Sequence, residues 1–143
     1  MTNQPIEDLK REEMIEFMDS WIKAWNDHDL EKVLEGFAGD VTFESWTGIR
    51  LKGKNGIRDA WAAWFEGHGG FRFIPEEVFV DEKQQKAVWS WRYEGPSFSS
   101  SSAGELEIRR GVDVLLFEGG LIKTKQTYSK TMIEIGGRKV VLK

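Results

Sequence analysis

The chain has 143 residues, 40% of them hydrophobic and 31% charged, a balance that suits one soluble globular domain spanning 1–143 with a proper core. A net charge of −4 with mixed signs argues against nucleic acid as the main partner, and the absence of cysteine excludes disulfides, thiol chemistry and thiolate metal sites. No apolar run approaches the roughly 20 residues of a membrane helix, and the polar start MTNQPIEDLKREE lacks a signal-peptide core, so the expected location is cytoplasmic, with no membrane partner.

Helical signals come first. Met14, Phe17, Met18, Trp21, Ile22 and Trp25 recur at three- and four-residue spacing, which predicts a helix from about Ile6 to Asn26 behind Pro5, with Glu7 and Asp8 at its positive end. The polar break NDHD follows. Asp29 then caps a short second helix carrying Leu30, Val33, Leu34 and Phe37, which Ala38-Gly39-Asp40 stops. Val41 to Trp46 reads as a strand, Ile49 to Lys52 as its extended continuation, and Ile57 to Glu66 as a third helix, with Asn55 as its cap and Gly67, Gly69 and Gly70 ending it.

The remainder reads as strands. Phe71 to Ile74 and Val78 to Val80 flank Pro75, which predicts an edge position or a break. In Ala87 to Gly95, Trp89, Trp91 and Tyr93 alternate with Val88, Ser90, Arg92 and Glu94, so one face is a wall of rings and the other carries a guanidinium and a carboxylate. The apolar face normally meets the core, which favours the tryptophans inward and leaves Arg92 and Glu94 inward as the alternative. PSFSSSSA, 96–103, is a mobile flap or plain linker. Long strands then run from Glu105 to Glu118 and from Leu121 to Ile135, and Gly136-Gly137 turns into 139–142. Three helices followed by antiparallel strands give an α+β fold.

These segments carry a family resemblance. WIKAWNDHDLEKVLEGFAGDVTFE, KGKNGIRDAW, and WRYEG followed by RGVDVLLFEGGLI and Tyr128 together resemble the nuclear transport factor 2-like superfamily, in its SnoaL-like and ketosteroid-isomerase-like branch. The resemblance implies a cystatin-like cone: a curved antiparallel sheet wrapped around three N-terminal helices, an apolar pocket at the open end, and a homodimer through the outer sheet face. It also implies a mixed catalytic inheritance. The isomerase base position falls on Ser45, after Glu44. The tyrosine of the first helix corresponds to Trp21. The protonated carboxyl that donates to an oxyanion corresponds to Asp113. Arg92 and Glu94 resemble the polar pair of limonene-type epoxide hydrolases, whose third position falls near Thr127, and no histidine matches the His–Asp pair of SnoaL-like cyclases.

Two functional classes follow. In the first, the chain binds a mainly apolar small molecule with one polar end and, as an enzyme, performs cofactor-free isomerase, cyclase or lyase chemistry. Asp113 is then the acid or hydrogen-bond donor, because burial between Val112 and Val114 would raise its pKa. Trp21, Phe43, Ser45, Trp46, Trp61, Trp89, Trp91 and Tyr128 position the ligand. In the second, the chain is a non-catalytic binding or dimerisation module, or a subunit of a larger enzyme. The plainer reading of Asp113 is an ion pair with Arg92, Arg109 or Arg110. His28 and His68 lack ligand partners at metal spacing, so no metal and no cofactor are expected.

Overall fold

The computed structural model describes residues 7–67 and 70–142. The first helix, α1, runs Arg11–Asn26 and α2 runs Leu30–Glu35; strands β1 (Phe37–Glu44) and β2 (Arg50–Lys52) precede α3 (Gly53–Gly67). Then come β3 (Arg72–Asp81), β4 (Lys86–Pro96), β5 (Leu106–Glu118), β6 (Leu121–Ser129), β7 (Met132–Ile135) and β8 (Arg138–Val141). The strands form one strongly curved sheet in the order β2-β1-β6-β5-β4-β3, with β7 pairing β5 and β8 pairing β7. The sheet is mixed, not purely antiparallel as expected, because β1 lies parallel to β6. The chain between β1 and β6, which runs through β2, α3 and β3 to β5, supplies the long connection that a parallel pair needs.

The apolar stripe of α1 buries Met14, Met18, Trp21, Ile22 and Trp25 against the concave side of the sheet. The helix begins at Arg11 rather than near Ile6. Pro5 and Ile6 lie outside the described residues, and Glu13 reaches back to accept from the Lys10 backbone N–H at 2.9 Å, satisfying one of the free donors of the first turn. Asp29 caps α2 by accepting from Lys32 N at 3.1 Å. Phe37 opens β1 instead of closing α2, and α3 starts at Gly53, which places Asn55 within it. Pro75 sits in β3 at the sheet edge, beside a register shift between Pro75 and Glu77, where its missing N–H is harmless.

Two departures reach the site. The predicted strand 121–135 breaks at Lys130 and Thr131; Lys130 N donates to Arg110 O, and β7 continues the pairing with β5 at Ile108 and Glu107. Within β6, Phe117 pairs with Ile122 but Leu116 pairs with Thr124, so Lys123 is an extra residue: a β-bulge. Beyond that bulge the inward and outward faces of β6 exchange. No helix among the described residues is long and apolar enough to cross a membrane.

Candidate functional site

A cavity of about 310 Å³ opens between α1, α3 and the concave sheet. Strand alternation builds most of its wall. On β4, Trp89, Trp91 and Tyr93 are buried and face inward, while Arg92 and Glu94 pair with each other at 2.7 Å on the outer face, their side chains 43% and 31% exposed. On β1, Phe43 points inward and Glu44 points out to Arg50 at 2.9 Å. From α3, Trp61 closes the cavity against Phe43 and Trp25, with ring centroids 5.1 and 5.0 Å apart.

The inward face of β5 is unusual for a core strand. It carries Glu107, Arg109, Gly111 and Asp113 before the apolar Leu115 and Phe117. Gly111 makes room for Trp91, since a Cβ there would lie 2.5 Å from both Cη2 and Cζ2 of that ring. The charges on either side of this gap are held by separate partners.

Asp113 lies at the floor. Its Oδ2 accepts from Trp89 Nε1 at 2.9 Å, and its Oδ1 accepts from Thr127 Oγ1 at 2.7 Å. Lys125 Nζ donates to Thr127 Oγ1 at 2.6 Å and lies 3.4 Å from Asp113 Oδ1. The carboxylate is therefore an acceptor with both oxygens occupied, and the cation that balances it is Lys125, not Arg92, Arg109 or Arg110. Lys125 is 5% exposed and sits among rings, with Nζ 4.5 Å from the Phe43 centroid, 5.6 Å from Trp61 and 5.8 Å from Trp25. Burial pushes the Lys125 ammonium below the usual lysine range, and the charge and hydrogen bonding of Asp113 oppose that push.

Arg109 is the second buried cation. Its Nε donates to Glu107 Oε2 at 2.9 Å, and its guanidinium stacks 4.5 Å from the Trp46 centroid and 5.2 Å from Phe98. Trp46 itself is 43% exposed, so this stack stands where the cavity meets solvent. The other Glu107 oxygen accepts from Ser97 Oγ at 3.1 Å and from Phe98 N at 3.2 Å. Ser97 Oγ in turn lies 2.8 Å from Ser102 Oγ, so the 96–103 segment is pinned to β5 rather than forming a free flap.

Of the residues singled out in the sequence, Phe43, Ser45, Trp46, Trp61, Trp89, Trp91 and Asp113 meet around this cavity. Trp21 and Tyr128 do not. Trp21 packs beneath it, 6.3 Å from the Trp89 centroid, and donates its indole N–H to Val33 O at 3.1 Å. Tyr128 is 51% exposed, because the Lys123 bulge turns it outward and turns Lys125 and Thr127 inward. Lys125 and Arg109 were not singled out as cavity residues, and Thr127 entered only by family correspondence. Among the described residues, the indole N–H groups of Trp25 and Trp91 are buried without an acceptor, and both rings line the cavity. His28 is half-buried, with Nε2 2.7 Å from Phe71 O. His68 lies outside the described residues. No group of three His, Cys, Asp or Glu among the described residues is placed to hold a metal ion.

The SnoaL-like domain model matches residues 18–124. The sequence has no significant match among curated proteins. Solved structures with similar folds include an NTF2-like protein of unknown function from Mesorhizobium loti, 25% identical, with a TM-score of 0.67 over 87% of this chain and 96% of that one. The epoxide hydrolase/cyclase-like enzyme SalBIII, with a role in pyran ring formation in the polyether salinomycin, is 14% identical, with a TM-score of 0.76 over 88% of this chain and 98% of that one. TerC, co-crystallised with polyporic acid, is 20% identical, with a TM-score of 0.68 over 83% of this chain and 92% of that one.

Proposed function

The chain belongs to the SnoaL-like domain family, and from that premise we propose that it binds a flat, mainly apolar small molecule whose carbonyl or carboxylate oxygen points at Lys125. The observation that carries this reading is the polar chain Lys125–Thr127–Asp113–Trp89 at the floor of a cavity whose walls are otherwise rings. An aromatic wall with a few convergent polar groups is the usual make-up of a ligand pocket, and about 310 Å³ is at the small end of that class. TerC, a chain of the same fold, was crystallised with polyporic acid, which supports small-molecule binding.

The chemistry that suits this floor is proton transfer of the isomerase, cyclase or lyase type. Lys125 is the acid that polarises the ligand oxygen as charge develops on it, and it takes the donor role first expected of Asp113. Asp113 is the ionised partner that orients Lys125, and the Thr127 hydroxyl links the two. The aromatic residues hold the ligand plane. A module that only dimerises would need no open cavity, so the space inside favours the ligand-binding reading over that one.

Native mass spectrometry of the purified protein, followed by tryptophan-fluorescence titration with aromatic ketones and carboxylates, tests the proposal. Saturable quenching that weakens in Trp89→Phe and Trp91→Leu supports it, and no quenching by any of these compounds removes it. The proposal includes a homodimer through the outer sheet face, where exposed Tyr128 stands opposite Val112. A monomeric mass in solution at micromolar concentration would exclude that part.

A further inference from the structure

We propose that Lys125 captures a carbonyl ligand covalently as an imine, which makes the cavity a site for aldehydes and reactive ketones with a flat apolar body. The inference rests on the small-molecule reading above and adds a bond to it.

An exposed lysine is a hydrated ammonium whose lone pair is engaged by a proton. Lys125 differs in three respects. Its Nζ lies at the floor of a cavity large enough to admit a ligand. It is walled by Phe43, Trp61 and Trp25, which hold water away. Its proton also has a short path out: Thr127 Oγ1 is 2.6 Å from Nζ and 2.7 Å from Asp113 Oδ1, so ammonium, hydroxyl and carboxylate form a continuous relay. Burial favours the neutral amine in the same sense.

The step balances within this set of groups. A proton leaves Nζ for Thr127 Oγ1 while the Thr127 proton moves to Asp113, giving a neutral amine and a neutral acid. The nitrogen lone pair adds to the carbonyl carbon, the C–N bond forms, and the π pair moves to oxygen. A proton passes from nitrogen to that oxygen to give the carbinolamine. Asp113 then returns its proton through Thr127 to the hydroxyl, the C–O bond breaks, water leaves, and the nitrogen lone pair closes the C=N bond. The sum is ammonium plus carbonyl giving iminium plus water, with no oxidant or reductant. The positive charge is the same before and after, so the pairing with Asp113 survives. The iminium carries one N–H where the ammonium carried three, and a delocalised cation with fewer unmet donors suits an aromatic cage.

The test uses two probes on the intact chain. 2-Naphthylmethanol cannot form an imine and reports binding through tryptophan fluorescence. 2-Naphthaldehyde with sodium cyanoborohydride at neutral pH converts any imine to a stable amine, read by intact mass and peptide mapping. The expected result is one dominant adduct at Lys125, suppressed by saturating 2-naphthylmethanol. Its rate at saturating aldehyde should fall by about a hundredfold in Thr127→Val, which breaks the relay. Adducts spread over surface lysines and absent from Lys125, in a protein that binds the alcohol saturably, would overturn the covalent step and leave the binding reading standing. Failure of the alcohol to bind would contradict the binding reading itself.

Discussion

Lys125 reaches Asp113 diagonally across two strands. The residue directly opposite Asp113 on β6 is Thr127, and Lys125 stands opposite Leu115, yet its Nζ lies 3.4 Å from Asp113 Oδ1. The pair is buried, so each side chain depends on the other for compensation of its charge.

The titration of Lys125 follows from that dependence. Burial holds the ammonium below its ordinary value of 10.5, and Asp113 pulls it back up. Between the folded value and 10.5 the unfolded chain binds more protons than the folded one, so this group makes stability rise with pH across that window. In Asp113→Asn the upward pull is lost and the titration should move further down. Lysine-resolved NMR from neutral pH upward checks both statements. A Lys125 resonance that titrates together with the exposed lysines would contradict them.

Gly111 separates the Glu107–Arg109 pair from Asp113 on the inward face of β5, and the Trp91 ring occupies the space that a side chain there would take. The backbone oxygen of Tyr128 also lies 2.5 Å from the position of an added Cβ, and backbone cannot easily yield. Gly111→Ala should cost about 1–3 kcal/mol by overpacking and should shift Trp91. Urea unfolding and the tryptophan emission spectrum read both effects. Wild-type stability in this variant would show that the ring and strand adapt without strain.

The Glu107–Arg109 pair, with side chains 1% and 4% exposed, anchors both the cavity mouth and the 96–103 segment. Glu107→Gln leaves a buried guanidinium without its counter-charge and should destabilise by about 3–5 kcal/mol. Adding Arg109→Met to Glu107→Gln should recover part of the loss, because no lone charge then remains. A double-mutant cycle by chemical denaturation measures the coupling, and strict additivity would mean that the two charges are compensated independently.

How much of this was legible in the sequence depends on the range of the signal. The α1 stripe and the β4 alternation are local periodicities, and they placed Trp25, Trp89, Trp91 and Tyr93 on the buried side. The parallel pairing of β1 with β6 is a long-range choice that no local pattern encodes. The Lys123 bulge had a larger effect. Plain alternation from buried Ile122 carries Tyr128 inward and Lys125 outward, and one extra residue reverses both. Plain alternation therefore leaves Asp113 only arginines near it in sequence or on β4 as partners, whereas its partner Lys125 lies on β6. Trp21 followed the family's tyrosine position, but its N–H is already taken by Val33 O, which fixes it in the core.

The most direct measurement is a fluorescence titration of three proteins with one flat ketone, 2-acetylnaphthalene: wild type, Lys125→Met and Arg92→Met, each first shown to be folded by circular dichroism. The site described above predicts saturable binding to wild type and a loss of about tenfold or more in Lys125→Met, the scale of a lost hydrogen bond from a charged donor. It predicts wild-type affinity in Arg92→Met, because Arg92 pairs with Glu94 on the outer face. Equal binding by Lys125→Met, or a loss confined to Arg92→Met, would contradict the placement of the polar end of the site at Lys125 and Asp113.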